Sequence, residues 1–215
     1  MLPTKTVLVT GFEPFGGDPR NPSQEIARAL DGRVIERRRV VGGVLPCVFG
    51  AAATALRQEL QAGRPELVIC LGLAGGRSGI TPERVAINVD DARIPDNAGQ
   101  SPIDQPVVRR GPVAYFSTLP IKAIVSALRA RDLPAMVSQT AGTFVCNHVF
   151  YALMHQLRGQ RHVRGGFIHV PFASGTAPAG EPQLELGRMV EAIALAIAVS
   201  LSTRRDVPAE GGQVR

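Results

Sequence analysis

The residue in this chain best placed for nucleophilic chemistry is Cys146. From Phe144 onward the apolar residues Phe144, Val145, Val149, Phe150, Leu153, Met154 and Leu157 recur at steps of three and four, the period of a helix with one buried face. Cys146 falls in the first turn of that helix. Unpaired backbone N–H groups and the positive end of the helix dipole favour a thiolate there, and the lowered pKa this predicts would make the thiol a nucleophile near neutral pH. The plainer alternative for any free cysteine is a small buried hydrophobe.

A thiol nucleophile needs a base, and the base needs an orienter. Of the four histidines, His148 and His155 share the Cys146 helix, and His148, two positions on, points away from the cysteine. His162 sits in the basic loop RGQRHVR. His169 ends the strand-like run GGFIHVP, and the end of a parallel strand lies beside the N-termini of the succeeding helices. His169 is therefore the best partner, set against an ordinary satisfied histidine at a strand terminus. For the orienter, Glu83, Asp90, Asp91 and Glu13 are all open. The glycine loops GFEPFGG and GLAGGR match neither GxGxxG nor a P-loop. Phe12 and Phe15 follow the first strand and Phe144 adjoins Cys146; they either pack a core or wall a small apolar pocket.

The elements that must position these groups alternate along the chain. TVLVTGF reads as a strand, and Asn21, Pro22 and Gly32 bracket a short helix as N-cap, first helical position and stop. VIERRRVV is a strand, residues 50 to 62 a helix, and LVICLGL a continuous apolar run suited to a strand buried on both faces. RVAIN, VAYFST and AMVSQT read as further strands, residues 120 to 131 and 184 to 201 as helices. This alternation predicts an α/β fold, a three-layer α/β/α sandwich with a largely parallel central sheet. The expected organisation is one domain over residues 1 to 203, with a loose tail over residues 204 to 215.

Composition narrows the function. The N-terminal apolar run is too short for a signal peptide and residues 192 to 201 are too few to span a bilayer, which predicts a soluble cytoplasmic protein with no membrane partner. Three widely spaced cysteines without a CxxC pair argue against a disulfide framework or a zinc site. The net charge of +6 comes from scattered arginines, and only 5% of residues are aromatic, so the pattern of a nucleic-acid binder is missing.

Three long motifs, TGFEPFGG with NPS after it, GGRSGITPERVAIN, and SQTAGTFVCNHVFY followed by GGFIHVPF, span residues 10 to 172. Together they resemble the pyroglutamyl-peptidase I family of cysteine peptidases. The resemblance implies Cys146 as nucleophile, His169 as general base, Glu83 as the third member, no metal or cofactor, a homotetramer, and peptides with an N-terminal pyroglutamate as substrate. Leu73 stands where several members carry glutamine, a position whose inferred contact runs through the backbone. A pyroglutamyl residue is a neutral lactam, so its pocket needs apolar walls and a few hydrogen-bond partners. Phe12, Phe15 and Phe144 are the expected walls, with Val145 and the Leu73 backbone as further substrate contacts and Arg93 as a second oxyanion donor. Two rival readings stand beside this one: a nucleoside phosphorylase-like transferase, and a catalytically silent binding protein on the same scaffold.

Overall fold

The most apolar runs of the sequence form the middle of one sheet. The computed structural model describes residues 5 to 212. Its strands are β1 (Thr6–Phe12), β2 (Val34–Ile35), β3 (Arg38–Leu45), β4 (Leu67–Leu73), β5 (Thr81–Pro82), β6 (Val85–Ile87), β7 (Ala114–Phe116), β8 (Arg164–Val170), β9 (Phe172–Ala173) and β10 (Gln183–Leu184). The six-stranded sheet runs β2-β3-β1-β4-β8-β5. Its four inner strands are parallel, and the edge strands β2 and β5 are antiparallel to their neighbours. All seven residues of β4 are buried, because helices cover both faces of a sheet in which this strand is central.

The helices are α1 (Pro22–Leu30), α2 (Ala51–Gly63), α3 (Ile121–Arg129), α4 (Val145–Leu157) and α5 (Leu186–Ser202). Alternation along β1 divides the core. Val7 and Val9 join Ile26, Ile124 and Ile193 of α1, α3 and α5 on one face, while Leu8 and Phe12 join Leu56, Val149 and Leu153 of α2 and α4 on the other. The expected three-layer α/β/α sandwich is the observed architecture. Local signals act as anticipated at α1, where the Asn21 side chain accepts from Ser23 N at 3.0 Å with Pro22 at the first position, and Gly32 follows at φ +75°.

Four expectations are corrected. VIERRRVV is a hairpin, because Glu36 and Arg37 both adopt positive φ, 45° and 60°, and turn β2 back onto β3 without any Gly or Asn to signal it. RVAIN leaves the main sheet: β6 pairs only with β7, and the strand added to β8 is Thr81–Pro82. AMVSQT forms isolated bridges at Ile80–Ala135 and Glu83–Ser138. Bonds from Met136 N to Ile80 O and from Ser138 N to Pro82 O flank a gap, since Pro82 has no N–H to donate to the Met136 carbonyl between them. The described part of the terminal segment is held at two points: Asp206 accepts from Lys122 N and Ala123 N at the start of α3, and Gly211 O accepts from Arg84 and Gln139. No helix among the described residues is long and apolar enough to cross a membrane.

Candidate active site

Strand β8 carries His169 to the C-terminal end of the sheet, where its register partners are Gly72 on β4 and Thr81 on β5. The missing side chain at Gly72 makes room for a sulfur. An ideal Cβ there would stand 2.9 Å from Cys146 Sγ, so α4 sets the thiol directly over the strand beside His169. Cys146 and His169 line one cavity of about 280 Å³ together with Phe15, Leu73, Phe144 and Arg93.

Cys146 is the second residue of α4, and the N-cap residue Phe144 offers no side-chain acceptor. The N–H groups of Val145, Cys146 and Asn147 therefore have no intrahelical partner and face outward from the helix start. The start itself is pinned by Asn147, whose amide oxygen accepts from Ile87 N and whose NH₂ donates to Ile87 O and Val89 O.

His169 Nδ1 lies 2.7 Å from Glu83 Oε1, and Glu83 is fully buried. A carboxylate only accepts, so Nδ1 carries the proton and Nε2 is left as the basic nitrogen. Burial lowers the pKa of His169 below its ordinary 6.5, outweighing the hydrogen bond and charge of Glu83, which raise it. The imidazole is neutral at neutral pH. For Cys146 the expected lowering is overturned: burial pushes the thiol up, Cys47 and Glu83 add to this, and the Arg77 charge opposes it only in part. Desolvation of a thiolate among Phe144, Phe167 and the sheet exceeds what a helix start returns. The resting pair is a thiol and a neutral imidazole, which suits proton transfer in concert with attack.

The structure selects among the four carboxylates. Asp90 accepts from His148 Nδ1 at 2.8 Å, while His148 Nε2 accepts from Gly50 N. Glu13 accepts from Cys47 N and Asn97, and Asp91 lies on the cavity rim, its backbone paired with Thr143. Glu83 alone of the four meets His169.

Phe15 and Phe144 line the cavity, with ring centroids 6.1 Å apart. Phe12 does not line it. As the last residue of β1 it points, with Leu8, into the core and packs on Phe167 at 6.3 Å. The ring that buttresses Phe144 is Phe49, edge-on at 5.4 Å and itself edge-on to His148. Val145, expected as a substrate contact, does not line the cavity either: it is fully buried and its side chain joins the core with Leu8 and Val149. Arg93 and Leu73 are both in the lining. Sequence reasoning did not anticipate Phe49 or the role of Arg77 beside Glu83; both lie in irregular segments without periodicity. No group of three or more His, Cys, Asp or Glu with metal-holding geometry occurs among the described residues.

Residues 5 to 203 match the family model described as pyroglutamyl peptidase. The chain is 57% identical over 208 residues to a pyrrolidone-carboxylate peptidase of Klebsiella pneumoniae, covering 96% of this chain and 97% of that one. It is 58% identical over 212 residues to that of Chromobacterium violaceum, covering 98% and 99%. Among solved structures, it superposes on pyroglutamyl peptidase I from Bacillus amyloliquefaciens with a TM-score of 0.93 at 43% identity, covering 96% of this chain and 99% of that one. Pyrrolidone carboxyl peptidase from Thermococcus litoralis gives a TM-score of 0.93 at 41% identity, with 96% and 100% covered.

Proposed function

This chain belongs to the pyroglutamyl peptidase family of cysteine peptidases, and from that premise we propose that it removes N-terminal pyroglutamate from peptides through Cys146, His169 and Glu83. The observation that carries the reading is a neutral imidazole, oriented by a buried carboxylate, sharing a small apolar cavity with a thiol at a helix start. Cys146 Sγ attacks the pyroglutamyl carbonyl as its proton passes to His169 Nε2. The oxyanion that forms meets the free N–H groups of the first turn of α4, with Arg93 of the same cavity lining as a second donor. His169 then protonates the departing amine, the C–N bond breaks, and a thioester remains. Water, deprotonated by His169, cleaves it to release pyroglutamate and restore the thiol. Glu83 holds Nδ1–H throughout and stabilises the imidazolium formed in each half-reaction.

Pocket chemistry supports the substrate class. The lactam is uncharged, and Phe15 and Phe144 offer it apolar walls while the Leu73 backbone takes its N–H and C=O. A free ammonium or carboxylate would enter the same site unpaired. A reducing, cytoplasmic setting belongs to this reading, supported by three free cysteines. So does a homotetramer, supported by exposed Ile103, Val113 and Phe116; light scattering on the purified protein tests it.

Hydrolysis of pyroglutamyl-aminomethylcoumarin, with the glutaminyl and glutamyl analogues in parallel, tests the function. Wild type should cleave only the first. Cys146→Ser should keep its circular dichroism and lose nearly all turnover, and His169→Ala should lose about 10²- to 10⁴-fold. Comparable rates on the three substrates, or a fully active Cys146→Ser enzyme, would overturn the assignment.

A further inference from the structure

Arg77 performs none of the steps above, yet it bonds Glu83 directly and reaches segments next to both His169 and Cys146. Its Nη1 donates to Glu83 Oε1 and to Thr81 Oγ1, both at 2.6 Å, and its Nη2 donates to Thr140 O at 3.1 Å. Thr81 is the register partner of His169 and donates in turn to the His169 carbonyl. Thr140 lies in the loop that leads into α4 and Cys146. We propose that Arg77 is a positioning residue for this reaction: it fixes Glu83 against His169 and ties that pair to the loop presenting the nucleophile. The inference rests on the roles given above to Cys146, His169 and Glu83.

A carboxylate as buried as Glu83 is costly without a permanent countercharge. Arg77 is the one lysine or arginine in ion-pair contact with it among the described residues. The geometry is specific: Arg77 Nη1 and His169 Nδ1 converge on the same oxygen, Oε1, while Oε2 has no partner among the described residues. The oxygen that orients the base is thus the one the guanidinium locates. Reaching Glu83, Thr81 and Thr140 at once requires two nitrogens of a rigid planar fork, which a lysine ammonium lacks.

The arrangement has a signature in pH. His169 faces Glu83 from beyond β5, Arg77 from the loop after β4, Cys146 from α4 and Phe167 along its own strand, with Asp91 and Arg93 elsewhere in the cavity lining. Of these, the Arg77 charge acts to lower the His169 pKa. Removing it raises that pKa, so the acid limb of kcat/KM moves to higher pH.

Wild type, Arg77→Met, Arg77→Lys, Glu83→Gln and Arg77→Met combined with Glu83→Gln would be assayed on pyroglutamyl-aminomethylcoumarin across acid and neutral pH, with melting curves alongside. Arg77→Met should lose between about tenfold and a hundredfold in kcat with KM little changed, and its acid limb should move up. Arg77→Lys should restore the limb but not the full kcat. The double variant should be no slower than Glu83→Gln alone, because Arg77 acts through Glu83. Wild-type kcat with an unmoved limb in Arg77→Met, or losses that multiply in the double variant, would overturn the proposal. If Arg77→Met does not fold, Arg77→Lys decides: wild-type kcat there removes the fork. An inactive Cys146→Ser beside a normal Arg77→Met refutes this inference alone, whereas an active Cys146→Ser refutes the site on which it rests.

Discussion

Gly72→Ala adds a single methyl group at the point where β4 meets Cys146, beside the register position of His169. Its Cβ would stand 2.8 Å from Phe167 Cζ, 3.0 Å from Phe167 Cε1 and 2.9 Å from Cys146 Sγ. Comfortable carbon contacts lie near 3.5 to 4.0 Å, so neighbours must move by about 1 Å. The Phe167 ring is fully buried between Phe12 and Phe150, with centroids 6.3 Å and 6.0 Å away, and has nowhere to go. The sulfur borders the cavity and can swing out. Overpacking of this kind costs roughly 1–3 kcal/mol, which in a chain of this length lowers the melting temperature by roughly 2–12 °C. On the proposed mechanism, displacing Cys146 Sγ by about 1 Å should cost on the order of a hundredfold in turnover. Fluorogenic hydrolysis, calorimetry and the rate of iodoacetamide alkylation of Cys146 would measure the three consequences. Near wild-type turnover together with unchanged melting would refute the placement of Sγ against β4. A destabilised but fully active enzyme would mean that the ring yields and the sulfur stays.

The two kinds of phenylalanine should separate cleanly. Phe12→Ala, a core truncation, should destabilise by about 3–5 kcal/mol with KM little changed, whereas Phe144→Ala should lose roughly 1–3 kcal/mol of transition-state binding; an equal rise in KM for both would return Phe12 to the pocket. Because burial depresses the His169 pKa below 6.5, the folded state favours the neutral imidazole. Its contribution to stability is complete above about pH 6.5 and is lost as pH falls through the folded value. Melting temperatures taken from neutral to acid pH should decline, with His155, depressed for the same reason, adding to the slope, and His169→Gln should decline less; identical slopes would remove His169 as a cause. Cys70 titrates the other way: burial pushes it from 9.0 to about 12, so stability is complete below about pH 9 and falls as pH rises above it. Cys70→Ala should flatten that alkaline loss, and an unaltered alkaline profile would count against it.

By itself the sequence determined the parts of this protein that depend on neighbours along the chain. The period from Phe144 to Leu157 marks α4 and puts Cys146 in its first turn. Asn21, Pro22 and Gly32 cap α1, and the unbroken apolar run LVICLGL marks a doubly covered strand. His169 was legible as a strand-end histidine for the same reason. Resemblance of long motifs added Glu83, which no local pattern distinguishes from Asp90 or Asp91. Only the tertiary structure decided what depends on groups far apart in the chain. The Glu83–His169 bond joins residues 86 positions apart, and Arg77 reaches across 63 positions to Thr140. Such contacts leave no period to read. Whether Phe12 or Phe49 supports the pocket was settled by the direction each side chain takes from its element, and a turn at Glu36 and Arg37 arose without a turn residue. The thiol shows the division most clearly: its place at a helix start is local and argues for a lower pKa, but the burial that raises it is a property of everything packed around it.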